Sequence, residues 1–120
     1  MSKNISDNAR VYGNAWVYGN ARISDNARIS GDARIYGNAW VYSNAWVYGN
    51  ADISSNNDWF SFTYEGQTIT GYRSRNNDGY ELNINGMSVD RAGISSVNVV
   101  NLINELIGKF DKLEIKNNIP

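Results

Sequence analysis

The residues best suited to chemistry recur at two fixed positions of a six-residue repeat that runs from Ile5 to Asp52. The sixth position of each hexad is Arg or Trp until the last, and the second position is Tyr or Ser. Guanidinium groups stack on aromatic rings, and Arg, Trp and Tyr dominate binding hot spots. The chemistry that these positions predict is therefore non-covalent binding rather than catalysis.

Catalytic groups are scarce in the chain. It has no His and no Cys, so it lacks the commonest general base, the commonest metal ligand and the thiol nucleophile. The general-base candidates that remain in the repeat are Asp7, Asp25, Asp32 and Asp52. The first three stand at turn positions of the hexad, where Asp makes local hydrogen bonds, and Asp52 is expected to project into solvent. We expect no enzymatic activity, no metal site and no cofactor.

The other hexad positions predict how these side chains are held. The first position is always Ile or Val and the fifth is always Ala, whereas the third and fourth are drawn from Gly, Asp, Ser and Asn. A β-branched residue suits a short buried strand, and the turn residues tolerate a positive φ. Each hexad is therefore predicted to form one short strand and one turn, with Ala at a tight inward corner.

This pattern resembles the hexapeptide repeat of left-handed parallel β-helices, in which three hexads form one triangular coil. The resemblance implies that residues 18 apart stack on one another, that Ile and Val form three inner ladders, and that Arg lies one rung from Trp on each outer face. The predicted binding residues are Arg22, Trp40 and Tyr42 on face 1, Arg28, Trp46 and Tyr48 on face 2, and Trp16, Arg34 and Tyr36 on face 3.

After residue 56 the six-residue period ends. Strands are predicted over 59–64, 67–73 and 80–84, followed by a loop over 86–93. A helix is predicted from Ser95 or Ser96 to about Ile107, with Gly108 ending it. Its apolar stripe is predicted to contain Val97, Val100, Ile103, Leu106, Ile107 and Phe110.

The whole chain resembles the small hexapeptide-repeat proteins of phages and prophages, which often carry transferase-like or polymer-forming labels. The fold predicted is mainly β, with a short left-handed parallel β-helix over residues 1–56 and a small α+β capping module over 57–120. The resemblance also implies a phage-encoded protein in the cytoplasm of the host cell. Acyltransferases that share the repeat resemble one another in using a His base, which this chain lacks, so acyl transfer is the least favoured function.

Two kinds of partner fit the exposed aromatic and arginine residues. The first is a protein: a second copy of the chain, giving a dimer or trimer, or a host protein that is bound stoichiometrically, as by an inhibitor of host defence. The second is a small anionic ligand of the nucleotide type. A net charge of −1 argues against general nucleic-acid binding, and no apolar run is long enough to suggest a membrane partner. Arg73, Arg75 and Arg91 are further candidates for a separate site in the capping module.

Overall fold

The computed structural model describes residues 4–76 and 79–118, with side chains as far as Phe110. The repeat forms eight two-residue strands: β1 Arg10–Val11, β2 Trp16–Val17, β3 Arg22–Ile23, β4 Arg28–Ile29, β5 Arg34–Ile35, β6 Trp40–Val41, β7 Trp46–Val47 and β8 Asp52–Ile53. Each of the strands β1 to β5 pairs in parallel with the strand three positions further along the chain. The predicted coil of three hexads is therefore confirmed.

The register places chemically equivalent residues on top of each other. Arg28 of β4 lies between Arg10 of β1 and Trp46 of β7, so the spacing along each ladder is 18 residues. The inward Ile and Val residues of the second and third coils are completely buried, as are most of the Ala residues at the fifth position. The residues before and after each inward aliphatic point outward, which is the alternation expected of a strand.

The turns have the backbone geometry that their residue types favour. Gly31 has a φ of +65°, and a Cβ added there would lie 2.7 Å from the amide nitrogen of Gly49 in the next coil. Asp25 occupies the equivalent position with a φ of +56°, and its carboxylate accepts a 2.9 Å hydrogen bond from the Ser43 amide. Asp25 is therefore a turn residue, as predicted.

Residues after the repeat form a four-stranded antiparallel sheet. Its order is β12, β11, β10, β9, where β9 is Trp59–Tyr64, β10 is Gln67–Arg73, β11 is Tyr80–Ile84 and β12 is Met87–Ser88. The three predicted strands are confirmed, but the predicted loop over 86–93 was wrong, because it contains β12 and a 3-10 helix at Arg91–Gly93. A further 3-10 helix, Asn56–Asp58, joins the repeat to the sheet.

The helix α1 spans Val97–Asn118 and passes through Gly108. The predicted end near Ile107 was wrong, because Ile107 and Phe110 both lie in the core and their burial outweighs the cost of about 1 kcal/mol for an internal Gly. The predicted stripe also needs correction at its start. Val97 is 71% exposed, whereas Val99 is buried. Residues 119 and 120 lie outside the described residues.

The buried apolar side chains of the described residues form two cores. One consists of the inward residues of the coils, and the other lies between the sheet and α1. Tyr72 of β10 belongs to the first core although it comes from the sheet, and it is 1% exposed. The capping module therefore inserts a large side chain into the end of the coils.

The capping module also supplies hydrogen-bond acceptors that a further coil would have supplied. In the repeat, an outward residue donates its N–H to a carbonyl of the next coil, as Arg10 does to Ala27 at 3.0 Å. In the last coil, the Trp46 N–H donates instead to Thr70 Oγ1 at 3.2 Å, and the Tyr48 N–H to the Tyr72 hydroxyl at 3.3 Å. Side-chain oxygens thus satisfy backbone donors at this end, which we call the capped end.

Candidate binding surface

Each face of the coils carries one arginine stacked on one tryptophan. The distance from the guanidinium carbon to the ring centroid is 6.0 Å for Arg22 and Trp40 on face 1. It is 4.3 Å on face 2 and 5.7 Å on face 3. All three predicted cation–π neighbours therefore meet, but the three faces differ in how much of each pair remains accessible.

Face 2 is partly covered by the capping module. The Trp46 indole packs against the backbone of Gly86, where an added Cβ would lie 2.3 Å from the ring, and the Trp46 carbonyl accepts a 2.8 Å hydrogen bond from Asn83 Nδ2. Tyr48 is half-buried, and burial raises the pKa of its hydroxyl. The capping module therefore covers part of Trp46 and Tyr48, whereas Tyr12 on the same face is 52% exposed.

Face 1 is more open but is tied to the capping module at one side. Trp40 and Tyr42 are 43% and 42% exposed. The Tyr42 ring lies 5.4 Å from that of Trp40 and 5.1 Å from that of Trp59. Trp59 donates its indole N–H to the Trp40 carbonyl at 3.1 Å, and Trp40 donates its own to Ser24 Oγ at 2.7 Å. These aromatic side chains therefore contribute to the attachment of the capping module as well as to the surface.

Face 3 presents the most accessible group of aromatic residues. Trp16 is 62% exposed and Tyr18 is 45% exposed. The Tyr18 ring stacks on that of Tyr36 at 5.2 Å with an interplanar angle of 8°, and Trp16 meets Tyr18 edge-on at 6.1 Å. Arg34 is exposed between the Trp16 and Asp52 rungs. Sequence reasoning omitted Tyr18 from the candidate residues, although its position in the hexad is that of Tyr36.

The base of face 3 is held by a tyrosine–carboxylate hydrogen bond. The Tyr36 hydroxyl donates to Asp52 Oδ1 at 2.5 Å. This hydrogen bond, with burial and the negative charge of Asp52, raises the pKa of Tyr36 to about 12. Asp52 was predicted to project into solvent, but it is half-buried and hydrogen-bonded. Its carboxylate therefore fixes the Tyr36 ring against that of Tyr18.

Two similar grooves follow corners of the coils, and each has a volume of about 430 Å³. One is lined by Asn14, Asp32, Asn50, Trp16, Arg34 and Arg75, beside face 3. The other is lined by Asn4, Asn20, Asn38, Asn56, Arg22 and Trp40, beside face 1. Asn14, Asn20, Asn38 and Asn50 come from the fourth hexad position, and Asn56 lies 18 residues after Asn38. The 18-residue stacking could therefore have identified these residues as groove walls. Sequence reasoning assigned them only to turns.

The arginines of the capping module have structural roles. Arg73 forms a 3.1 Å ion pair with Asp58, and Arg91 donates to the side-chain oxygen of Asn104. Arg75 donates to the carbonyls of Ala51 and Asp32 at 2.8 and 2.7 Å. In contrast, Arg22 and Arg34 form no ion pair with any residue that the structure describes. Faces 1 and 3 therefore each present an exposed guanidinium group beside a Trp ring.

Among the described residues, no cluster of Asp and Glu side chains has the arrangement of a metal site. Within the same part of the chain, no helix combines the length and hydropathy needed to cross a membrane.

Comparison with known families identifies the repeat. A family model described as the YdcK β-solenoid repeat matches residues 5–19, 21–34 and 33–49. The first part of the chain is therefore a β-solenoid repeat, and together with the parallel ladders this makes the protein a β-solenoid repeat protein. Comparisons with curated proteins and with solved structures gave no match.

Proposed function

We propose that this chain is a binding protein that holds a partner protein against face 3 of its solenoid. The observation that carries the proposal is the contiguous group of Trp16, Tyr18 and Tyr36 rings. Beside it lies Arg34, which has no ion pair among the described residues. Exposed aromatic groups of this kind, bordered by polar side chains, are typical of interaction sites.

The way in which face 3 is built favours tight binding. Its side chains project from strands whose backbone is hydrogen-bonded on both sides in the second coil, and the Tyr36 ring is fixed by Asp52. A surface that is ordered before binding loses less conformational entropy when a partner docks. Face 3 also remains open where the capping module covers face 2.

The proposed partner class rests on the resemblance of the whole chain to the small hexapeptide-repeat proteins of phages. We propose that the coil is left-handed and that the protein is phage-encoded, so that the partner is a host protein bound in the host cytoplasm. Stoichiometric occupation of the host protein would then inhibit it, and a defence component is the target that we favour. This function requires no cofactor, metal or membrane.

The two similar faces supply a matched experiment. Trp16→Ala with Arg34→Ala removes the pair on face 3, and Trp40→Ala with Arg22→Ala removes the corresponding pair on face 1. A protein captured from host lysate by the wild type should be identified, purified and titrated against both variants. We expect the face 3 variant to bind at least about 30-fold more weakly, as for a hot spot of 2 kcal/mol, and the face 1 variant to bind almost normally.

The same titration contains the result that would contradict the proposal. If the face 3 variant keeps its circular dichroism spectrum and binds as tightly as the wild type, face 3 is not the binding surface. A one-to-one mass for the complex by light scattering is also required, because a sub-stoichiometric complex would not act by occupation.

The groove beside face 3 favours a small anionic ligand as a second function. Arg34 supplies a cation, Trp16 a stacking surface, and Asn14 and Asn50 hydrogen-bonding amides within about 430 Å³. Thermal shift measurements with a series of nucleotides test this function. Stabilisation that is lost in Arg34→Gln and retained in Arg22→Gln would support it, and the absence of stabilisation by every nucleotide would exclude it for this class of ligand.

A further inference from the structure

The two ends of the solenoid differ in whether their backbone groups have partners. At the capped end, several backbone donors of the last coil have side-chain acceptors. The Asn50 N–H donates to Glu81 Oε2 at 3.2 Å, the Ser54 N–H to Asp58 Oδ2 at 2.9 Å, and the Trp40 N–H to Asn56 Oδ1 at 2.8 Å. The first coil lies at the opposite end, which we call the open end.

The ladder register shows which backbone groups point out of the open end. In the second coil the Ile29 carbonyl accepts from Tyr12 at 2.9 Å, so Ile29 directs its polar backbone groups towards the first coil. Val11 is the equivalent residue one coil earlier. Its N–H and C=O, like those of Val17, point away from the second coil and have no hydrogen bond with any residue in 4–76 or 79–118.

The apolar side chains at the open end are also incompletely buried. Ile23, Ile29 and Ile35 in the second coil are 0% exposed. Their counterparts Ile5, Val11 and Val17 are only partly buried. A further layer of backbone and apolar side chains would complete both the hydrogen bonding and the burial, as occurs between the first and second coils.

We propose that two copies of this chain associate through their open ends, related by a two-fold axis perpendicular to the solenoid. The open end is complementary to itself, because two coils brought together in this way run antiparallel where they meet. In an antiparallel ladder, two facing residues that each point their N–H and C=O at the other strand form two hydrogen bonds. The N–H of each residue donates to the C=O of the other. Val11, Val17 and Ile5 provide this arrangement on the three sides.

A second copy is favoured over longer assemblies by the asymmetry of the ends. An unpaired strand edge is a template for pairing with another chain, and solenoids require covered terminal coils. At the capped end, side chains already accept from the N–H groups of Trp40, Trp46, Tyr48, Asn50 and Ser54, so we expect association to stop at two copies. This inference rests on the backbone of the first coil and is independent of the partner proposed for face 3.

Analytical ultracentrifugation tests the association itself. We expect a mass of twice the 13.4 kDa of one chain at high protein concentration, with dissociation on dilution. A monomer throughout the accessible concentration range would overturn the proposal and leave the open end to a different occupant.

Spin-label distances test which ends meet. The chain has no Cys, so Asn8→Cys, Asn26→Cys and Asn44→Cys each provide a single labelling site on the same corner of successive coils. Each step towards the capped end should add about 10 Å to the axial separation between the two labels, since the step moves both labels by one strand spacing. The separation must therefore increase from 8 to 26 to 44. The reverse order, or equal distances, would exclude pairing through the open ends.

A backbone variant tests the hydrogen bonds. Val11→Pro removes an N–H that has no partner within the described chain, and Pro at a sheet edge blocks pairing with another strand. Val11→Ala is the control, because it shortens the side chain but keeps the N–H. We expect Val11→Pro to raise the dimer dissociation constant by roughly tenfold or more, since two symmetry-related hydrogen bonds are lost, and Val11→Ala to have a smaller effect. Equal effects from the two variants would contradict the proposed pairing.

Discussion

Replacing Tyr72 should separate the contribution of the capping module from that of the coils. Tyr72 comes from β10, yet its ring is buried in the core of the solenoid and its hydroxyl accepts a hydrogen bond from the Tyr48 N–H. Tyr72→Ala removes both the ring and the hydroxyl. Tyr72→Phe removes only the hydroxyl, so the two variants distinguish packing from hydrogen bonding.

The expected magnitudes follow from burial. Truncating a buried aromatic residue to Ala costs about 3–5 kcal/mol, and leaving a partly buried N–H without its acceptor adds about 1 kcal/mol. We therefore expect Tyr72→Ala to lower the free energy of unfolding by about 4–6 kcal/mol. Tyr72→Phe should cost about 1–2 kcal/mol. Since a domain of this size is stable by only about 5–15 kcal/mol, the Ala variant should lose a large part of its stability.

Urea unfolding followed by circular dichroism measures these differences. Tyr64→Ala is the control, because Tyr64 lies in the same sheet but is 36% exposed, and its replacement should cost less than about 1 kcal/mol. The reasoning is refuted if Tyr72→Ala is no more destabilising than Tyr64→Ala. It is refuted in part if Tyr72→Phe costs as much as Tyr72→Ala, because the ring would then contribute nothing.

Three further perturbations follow from other contacts. In urea titrations, Arg28→Gln should lower the free energy of unfolding by about 1–2 kcal/mol and Arg22→Gln by about 0.5 kcal/mol. The difference is expected because Arg28 is half-buried and lies closer to the Trp46 ring than Arg22 does to the Trp40 ring. Equal losses from the two variants would contradict this reasoning. Gly108→Ala should raise the free energy of unfolding by about 0.5–1 kcal/mol, and with it the thermal midpoint, since an added Cβ meets nothing within 4 Å. A lower midpoint would contradict this prediction. The pKa of Tyr36 is raised from 10 to about 12 by its hydrogen bond to a carboxylate, so its contribution to stability is complete below pH 10 and is lost as the pH rises towards 12. The difference in unfolding free energy between the wild type and Tyr36→Phe should shrink over this range, and a constant difference would refute the assignment.

The repeat could be predicted in detail because its information is local and periodic. Every sixth residue repeats a chemical role, so the inward position of Ile29, the turn at Asp25 and the stacking of Arg28 on Trp46 all follow from a single period. The capping module lacks such repetition. β12 has only two residues and no alternation to mark it, and the continuation of α1 past Gly108 depends on burial that only the folded structure reveals.

The candidate surface was predictable in composition but not in accessibility. The hexads predict that each face carries an Arg and a Trp, and they do so equally for all three faces. Which face is covered depends on where the sheet docks, and this is decided by single contacts such as Thr70, Tyr72 and Asn83 with the last coil. Nothing in the spacing of those residues indicates the face that they approach.

The capped end has a consequence for how proteins of this design change in size. The module recognises the final coil largely through main-chain amides and carbonyls, such as those of Trp46, Tyr48 and Asn50, and every coil possesses the same main-chain groups. One coil is 18 residues long in the ladder register. An in-frame duplication or deletion of 18 codons would therefore leave the capping module with the same main-chain groups to bind. The aromatic surface of such a protein can lengthen or shorten by whole coils. Selection can then act on the number of coils separately from the sequence of the capping module.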